Sequence, residues 1–130
     1  MISWDGSRKG DTAVHERSMI PVQVQEVADA IASVLNINVD IIDYRLIRIA
    51  ASGYYAKRIG QAMRYGTISR YVLRTKELYC VTTPADDPVC KECLGYTGKN
   101  NCLHNVCISA PIVFNEEAIG TMPIYLQTKL

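Results

Sequence analysis

The chain has 130 residues, a net charge of +1, 48% hydrophobic residues and five cysteines. That length suits one domain with its own core and leaves no room for an ATPase or a DNA-binding module besides. Near-neutral charge argues against a dedicated nucleic-acid binder, and no apolar run approaches the roughly 18 residues of a membrane span. The start, Met1 to Gly10, is polar and charged rather than a signal peptide, so a cytoplasmic chain is expected.

Residues 1–18 show no hydrophobic period and are expected to form a flexible lead-in to a single domain over 19–130. Val24, Val27, Ala28, Ile31, Val34 and Leu35 then recur at helical spacing, with Pro21 tolerated in the first turn. The period changes to two at Ile37, Val39 and Ile41, which alternate with Asn38, Asp40 and Ile42. Leu46 to Ile49 follows after a short turn at Asp43-Tyr44, so the spacing predicts a hairpin. Gly53, Gly60 and Gly66 limit the next helices to short ones, and Ile68, Tyr71 and Val72 form a helical face before a strand over Leu78 to Thr82. A Pro/Asp-rich loop carries four cysteines, and strands over Val106 to Phe114 and Ala118 to Leu126 close the chain. Hairpin-joined strands with helices gathered elsewhere predict an α+β fold around an antiparallel sheet of five to six strands. Pro123 has no N–H for a ladder, which predicts an edge position or a bulge there. The stop just after a strand suggests a piece of a longer protein.

Cys90, Cys93, Cys102 and Cys107 read C-x2-C-x8-C-x4-C. Four thiolates in one loop suit tetrahedral zinc or an iron–sulfur cluster, and the irregular second pair favours the cluster. A redox-active dithiol and four unrelated structural thiols are the competing readings, and aerobic disulfides would form where a vacated site leaves thiols close. His104 lies inside the loop as a substitute ligand, and Cys80, in a predicted strand, reads as a small buried hydrophobe. Two enzyme templates fail. The zinc deaminase signature needs H-x-E and P-C-x-x-C, but His15 is followed by Glu16-Arg17 and Val89 separates Pro88 from Cys90. A thioredoxin-type pair needs a strand before it and a helix after it, whereas Cys90 lies in the loop.

The neutral total hides a basic block. Residues 1–43 hold three bases against seven acids, residues 44–76 eight bases against none, and residues 77–130 three bases against six acids. The block interleaves its cations with Tyr44, Tyr54, Tyr55, Tyr65 and Tyr71, a combination that binds an anionic or planar ligand, docks on an acidic surface, or is simply a solvated face. With the Ala51-Ser52-Gly53 turn offering backbone N–H groups, the candidate ligand contacts are Arg48, Ser52, Tyr54, Tyr55 and Arg58. Four thiolates would make the cysteine loop more negative, so the basic block is expected beside it.

Pro111-Ile112-Val113-Phe114, a turn and Ala118-Ile119-Gly120-Thr121 resemble the closing hairpin of GAF domains. More narrowly, Ile20 to Val24, Arg48 to Gly53, Tyr71 to Thr75, the cysteine loop and Cys107 to Ile112 resemble the N-terminal sensor domain of sigma-54-dependent transcriptional activators of anaerobic Firmicutes. Ala51-Ser52-Gly53 departs from the Gly-Thr-Gly usual after the second strand, and Leu103-His104 from the Pro-Glu usual after the third cysteine. The resemblance implies a GAF/PAS-like sheet with the N-terminal helix on one face and short helices plus the cysteine loop on the other. It also implies a sensory input domain with no chemistry of its own. Such a domain would act as a homodimer, take a small-molecule ligand or a metal or iron–sulfur centre, and pass its state to downstream ATPase and DNA-binding domains without touching nucleic acid or membrane. Two alternatives remain. One is a GAF-type thiol enzyme resembling methionine sulfoxide reductase, its thiolate beside Lys91 or Lys99. The other is a dimerisation or docking domain with incidental cysteines.

Overall fold

The computed structural model describes residues 2–3, 19, 21–94 and 106–126. Six strands form one sheet: β1 Ile2–Ser3, β2 Asn38–Asp43, β3 Arg48–Ala51, β4 Tyr79–Val81, β5 Val106–Phe114 and β6 Glu117–Leu126. Their order is β1-β5-β6-β2-β3, with β4 also pairing β5. All pairs are antiparallel except β1, which runs parallel to β5 at Ile112 and Val113. Helix α1, Pro21–Leu35, packs against β2 and β3, while α2, Thr67–Thr75, packs against β5 and β6.

Alternation along the strands separates two layers. Val39, Ile41, Ala50, Ile112 and Met122 meet Ala28 of α1 in a core that also takes Met19 and Ile119. Asp40, Ile42, Arg48, Ser109, Thr121 and Tyr125 face away from α1 and are buried in a second layer, on the side of α2 and the 3-10 turns Gly53–Arg58, Pro84–Asp86 and Cys90–Glu92. The β2–β3 hairpin is set by Asp43. Its Oδ1 accepts the Arg45 and Ile47 amides at 2.9 and 3.0 Å, and its Oδ2 takes Arg45 Nη2 at 2.7 Å. These bonds hold Leu46 in the left-handed region at φ 68°. The outer edge of β3 is covered by the returning chain, where Gln61 O accepts the Arg48 amide and Arg48 O accepts the Gly60 amide. Farther along that edge, Gln25 of α1 bonds both backbone groups of Ala51, donating to its carbonyl at 2.9 Å and accepting its amide at 3.1 Å.

Several expectations change. Of the lead-in over 1–18, Ile2–Ser3 form a strand, a pairing that the sequence reading does not anticipate. On α1, Val24, Ile31 and Ala32 pack on the core beside Ala28, but Val27, Val34 and Leu35 are exposed. The helix meets the sheet along a narrow line, and Val27 and Val34 lie on its flank away from Ala32. Cys80 is exposed rather than buried. Its pairing with Ile108 points it to the α1 side of the sheet, but α1 lies over β2 and β3 and does not reach β4.

Pro123 is neither at an edge nor in a bulge: β6 lies between β5 and β2, and Pro123 is buried opposite Ser109. The strand tolerates it because the β2–β6 ladder pairs Val39 with Ile124 and Ile42 with Thr121 but is broken between them, opposite Pro123 and Met122. The missing donor falls in that gap.

Candidate functional site

The second layer holds the polar chemistry. Arg48 of β3, Asp40 of β2 and Tyr125 of β6 all face it, and each is buried. Asp40 Oδ2 accepts Arg48 Nε and the Tyr125 hydroxyl, both at 3.1 Å. Tyr55, from the 3-10 turn, closes over the group, its ring 4.4 Å from the Arg48 guanidinium carbon and 5.6 Å from the Tyr125 ring centroid. Burial pushes the Asp40 carboxyl above the ordinary aspartate range, against the Arg48 charge and the two hydrogen bonds that pull it down. Tyr125 is pushed well above an ordinary phenol by burial first and then by the charges of Asp40 and Cys107. A buried ion pair contributes little net stability, whereas removing one partner costs about 3–5 kcal/mol. Such a pair marks a place where the fold holds charge away from water at some expense.

The opposite end of the layer is closed by Ser69 of α2, 2.9 Å from Thr121 Oγ1 of β6, both buried. On the β4 side, Tyr79 donates to Asp87 Oδ2 at 2.9 Å, and Asp87 Oδ1 accepts the Val89 and Cys90 amides at 2.8 and 2.9 Å. This carboxylate therefore ties the start of the cysteine turn to the sheet. Burial and Asp87 together push the Tyr79 phenol up to about 12.

The sequence-predicted residues divide. Arg48 and Tyr55 meet in the buried cluster, although Arg48 faces a carboxylate rather than an open anion site. Ser52 instead joins the ends of two strands: its Oγ accepts the Val39 amide at 2.9 Å and its own amide donates to Val39 O at 2.8 Å. Arg58 is exposed, and the Tyr54 side chain lies outside the described residues. Gly53 has φ +69°, and a Cβ there would displace the Asn38 side chain, so this turn favours glycine.

Cys90, Cys93 and Cys107 are half-buried, and Cys107 faces the second layer in register with Tyr125 and Val81. Cys102 and His104 lie outside the described residues. Among the described residues no three His, Cys, Asp or Glu side chains gather as a metal-holding group. The basic block does approach the cysteine turn, since α2 packs on Cys90–Glu92 and the Tyr71 ring of α2 lies 4.9 Å from that of Tyr79, tilted by 59°. Of its eight cations Arg48 alone is buried, and the other seven are exposed.

Sequence reading missed Asp40, Tyr125, Ser109 and Asp87. The signal for Asp40 was present: a strand covered on both faces has no solvent side, so a carboxylate at its polar positions must be buried and partnered.

No protein-family profile matches the sequence. Solved structures do match the fold. The GAF domain of A. aeolicus nlh2, in an inactive state, aligns with a TM-score of 0.62 at 17% identity, covering 87% of this chain and 72% of that one. The GAF domain of the Acinetobacter phosphoenolpyruvate-protein phosphotransferase gives 0.62 at 11% identity, over 88% of this chain and 72% of that one. This chain is a GAF-fold domain. The type II free methionine-R-sulfoxide reductase of Thermoplasma acidophilum shares the fold too, with a TM-score of 0.60 at 13% identity over 81% of this chain and 72% of that one. In sequence, the GAF domain is related to a sigma-54-dependent transcriptional regulator of Escherichia coli (strain K12), with 31% identity over 106 residues. The match covers 81% of the domain and 17% of the regulator's length. Among the described residues no helix is long and apolar enough to cross a membrane.

Proposed function

We propose that this GAF domain is the signal-input unit of a sigma-54-dependent transcriptional activator. It works as a homodimer and is fused to ATPase and DNA-binding domains that it governs. It binds a small molecule in the second layer and carries out no chemical step. The observation that supports this is the buried Asp40–Arg48–Tyr125 cluster under Tyr55, a polar group of high desolvation cost in a domain whose sequence relative is a regulator. Arg48 and Tyr55 belong to the binding layer, while Ser52, Tyr54 and Arg58 border it on the same turn. The relative is named for uric acid, which makes urate the first ligand to test. Ligand binding changes output by favouring one of two arrangements of the turn that carries Tyr55. The test is a reporter driven by the full-length regulator. The double variant Asp40→Leu, Arg48→Met, or the single variant Tyr125→Phe, should abolish the response to signal while the protein remains folded and abundant, and an unchanged response would overturn the reading.

The four cysteines form its second element. Cys90, Cys93, Cys102 and Cys107 hold an iron–sulfur cluster or zinc, whose loss releases the loop that Asp87 anchors. This is favoured by Cys107 facing the layer whose β4 side carries the anchored turn at Cys90. Anaerobic purification with iron, sulfide and zinc measured per chain decides it. Metal should be present in the wild-type protein and absent from Cys93→Ser, and a metal-free wild type removes the centre.

A further inference from the structure

Three exposed arginines gather on and beside α2. Arg70 and Arg74 stand one helical turn apart on its outer face, while Ser69 and Val72 are buried toward the sheet. Arg64 precedes the helix, and Tyr65 links it to them. The Arg64 guanidinium carbon lies 5.2 Å from the Tyr65 ring centroid, and Arg70 Nη2 donates to the Tyr65 carbonyl. The Arg74 guanidinium carbon lies 5.3 Å from the Tyr71 ring centroid. Each guanidinium is thus held by a contact within the chain that leaves N–H donors over. Among the described residues, the ion pairs of Arg45 with Asp43 and Arg48 with Asp40 have no counterpart at Arg64, Arg70 or Arg74. Residues 44–76 contain no acid at all, and residues 95–105 of the cysteine loop add none.

This arrangement works against the helix. Like charges four residues apart destabilise a helix, and α2 has no acid in its first turn. A glutamate at the position of Arg70 would instead pair with Arg74 in the favourable order. Arginines kept where they repel, and held in place before any partner arrives, are suited to a ligand that takes their planar forks. We infer that the outer face of α2 docks an acidic protein helix whose carboxylates recur one turn apart, two taking the forks of Arg70 and Arg74 and a third that of Arg64. Three features name this occupant. Arg70 and Arg74 are about 6 Å apart along the axis, a rise that glutamates at i and i+4 repeat. A guanidinium fork matches a carboxylate bidentately, and the half-buried rings of Tyr65 and Tyr71 offer apolar contact to the stems of its acids. The strip is also short. It ends at Lys76, whose Nζ is given to Glu116 O at 2.7 Å, with Glu77, Glu116 and Glu117 exposed beyond it. A phosphate backbone running past α2 would meet those acids, whereas a helix of the length of α2 stops short of them. The inference concerns the outer face of α2 and stands apart from the ligand layer and the signal-input reading.

The test is fluorescence anisotropy of the whole chain with three labelled probes at about 0.15 M salt. The first is an alanine-based helical peptide of about 16 residues with glutamates at i, i+4 and i+8 on one face. The second has the same composition with its glutamates spread around the helix, and the third is an oligothymidylate of similar charge. The one-faced peptide should bind saturably and about tenfold tighter than the other two. Arg70→Glu should weaken that binding about tenfold or more yet leave the midpoint of thermal unfolding equal or higher. The double variant Arg70→Lys, Arg74→Lys keeps the charge and the helix but loses the forks, and should also weaken binding several-fold. No saturable binding overturns the inference, and so does equal binding of the two peptides, which would show charge alone at work. Tighter binding of the oligothymidylate overturns it in favour of a nucleic-acid face. Unchanged binding by the lysine double variant removes the arginine forks from the argument and overturns it as well. The reporter response of Tyr125→Phe and of the double variant Asp40→Leu, Arg48→Met decides the signal-input reading separately.

Discussion

Arg48 and Tyr125 reach the same oxygen of Asp40, each at 3.1 Å, from strands on opposite sides of β2. The carboxylate thus joins three strands through side chains, opposite the break in the β2–β6 backbone ladder. Asp40→Ala strands a buried guanidinium and should lower unfolding free energy by about 3–5 kcal/mol in urea titration. Tyr125→Phe, which removes one bond to a charged group, should cost about 1.5–3 kcal/mol. The double variant Asp40→Leu, Arg48→Met should recover most of the first loss. A cost for Asp40→Ala within the scatter of surface substitutions would show the pair to be solvated.

The raised Asp40 carboxyl carries a pH signature. The folded state holds this proton more tightly than the unfolded chain, whose value is about 3.8. The group's contribution is therefore full below that value and is lost as pH rises from there through the folded value. Asp40→Asn should flatten that part of the stability profile. Tyr79 acts in the same direction at the alkaline end. Its phenol ionises at about 12 against an ordinary 10, so the stability it contributes below pH 10 is lost as pH rises from 10 to about 12. Absorbance titration of the phenolate should show one tyrosine moving back toward its ordinary value in Asp87→Asn.

Ser69 and Thr121 hold α2 to the sheet by one buried hydrogen bond. Ser69→Ala alone leaves the Thr121 hydroxyl buried and unpaired, at a cost of about 1–3 kcal/mol. Ser69→Ala combined with Thr121→Val removes both polar groups and should come within about 1 kcal/mol of wild type. If the double variant is the less stable of the two, the hydroxyl pair is doing more than satisfying itself.

Gly120 has no room for a side chain. A Cβ would lie 2.7 Å from Met19 Cε and closer still to the Ile42 carbonyl oxygen. Met19 can move, but the β2 backbone cannot without disturbing its pairing with β6. Gly120→Ala should therefore cost about 1–3 kcal/mol, the range for overpacking, in thermal or urea unfolding. An unchanged midpoint would mean that β2 and β6 part easily at this end.

The closing hairpin was legible almost to the residue: Val106–Phe114 matched its expected span, and β6 begins at Glu117, one residue early. Alternation is strong there, and the turn residues Asn115 and Glu116 sit at φ 49° and 65°, the left-handed pair that a tight hairpin needs. The Ile2–Ser3 strand was not legible, because two residues carry no period. The candidate site was half legible. Arg48 and Tyr55 stood out as a cation and a phenol in a basic block, but Asp40 was not singled out, although cover was expected on both faces of the sheet. Burial of both sheet faces is a tertiary fact, and it alone turns Asp40 from a surface acid into the centre of the cluster.

Arg48, Ala51, Ser52 and Tyr55 lie within eight residues of one chain segment. Arg48 and Tyr55 belong to the polar layer, while Ala51 is gripped by Gln25 of α1 through both of its backbone groups. The sheet thus has a single ribbon that answers to both of its faces. A shift of a few tenths of an ångström imposed on Tyr55 need not cross the packed interior to reach α1. It arrives along covalent bonds, and the helix that receives it carries an uncovered flank of valines.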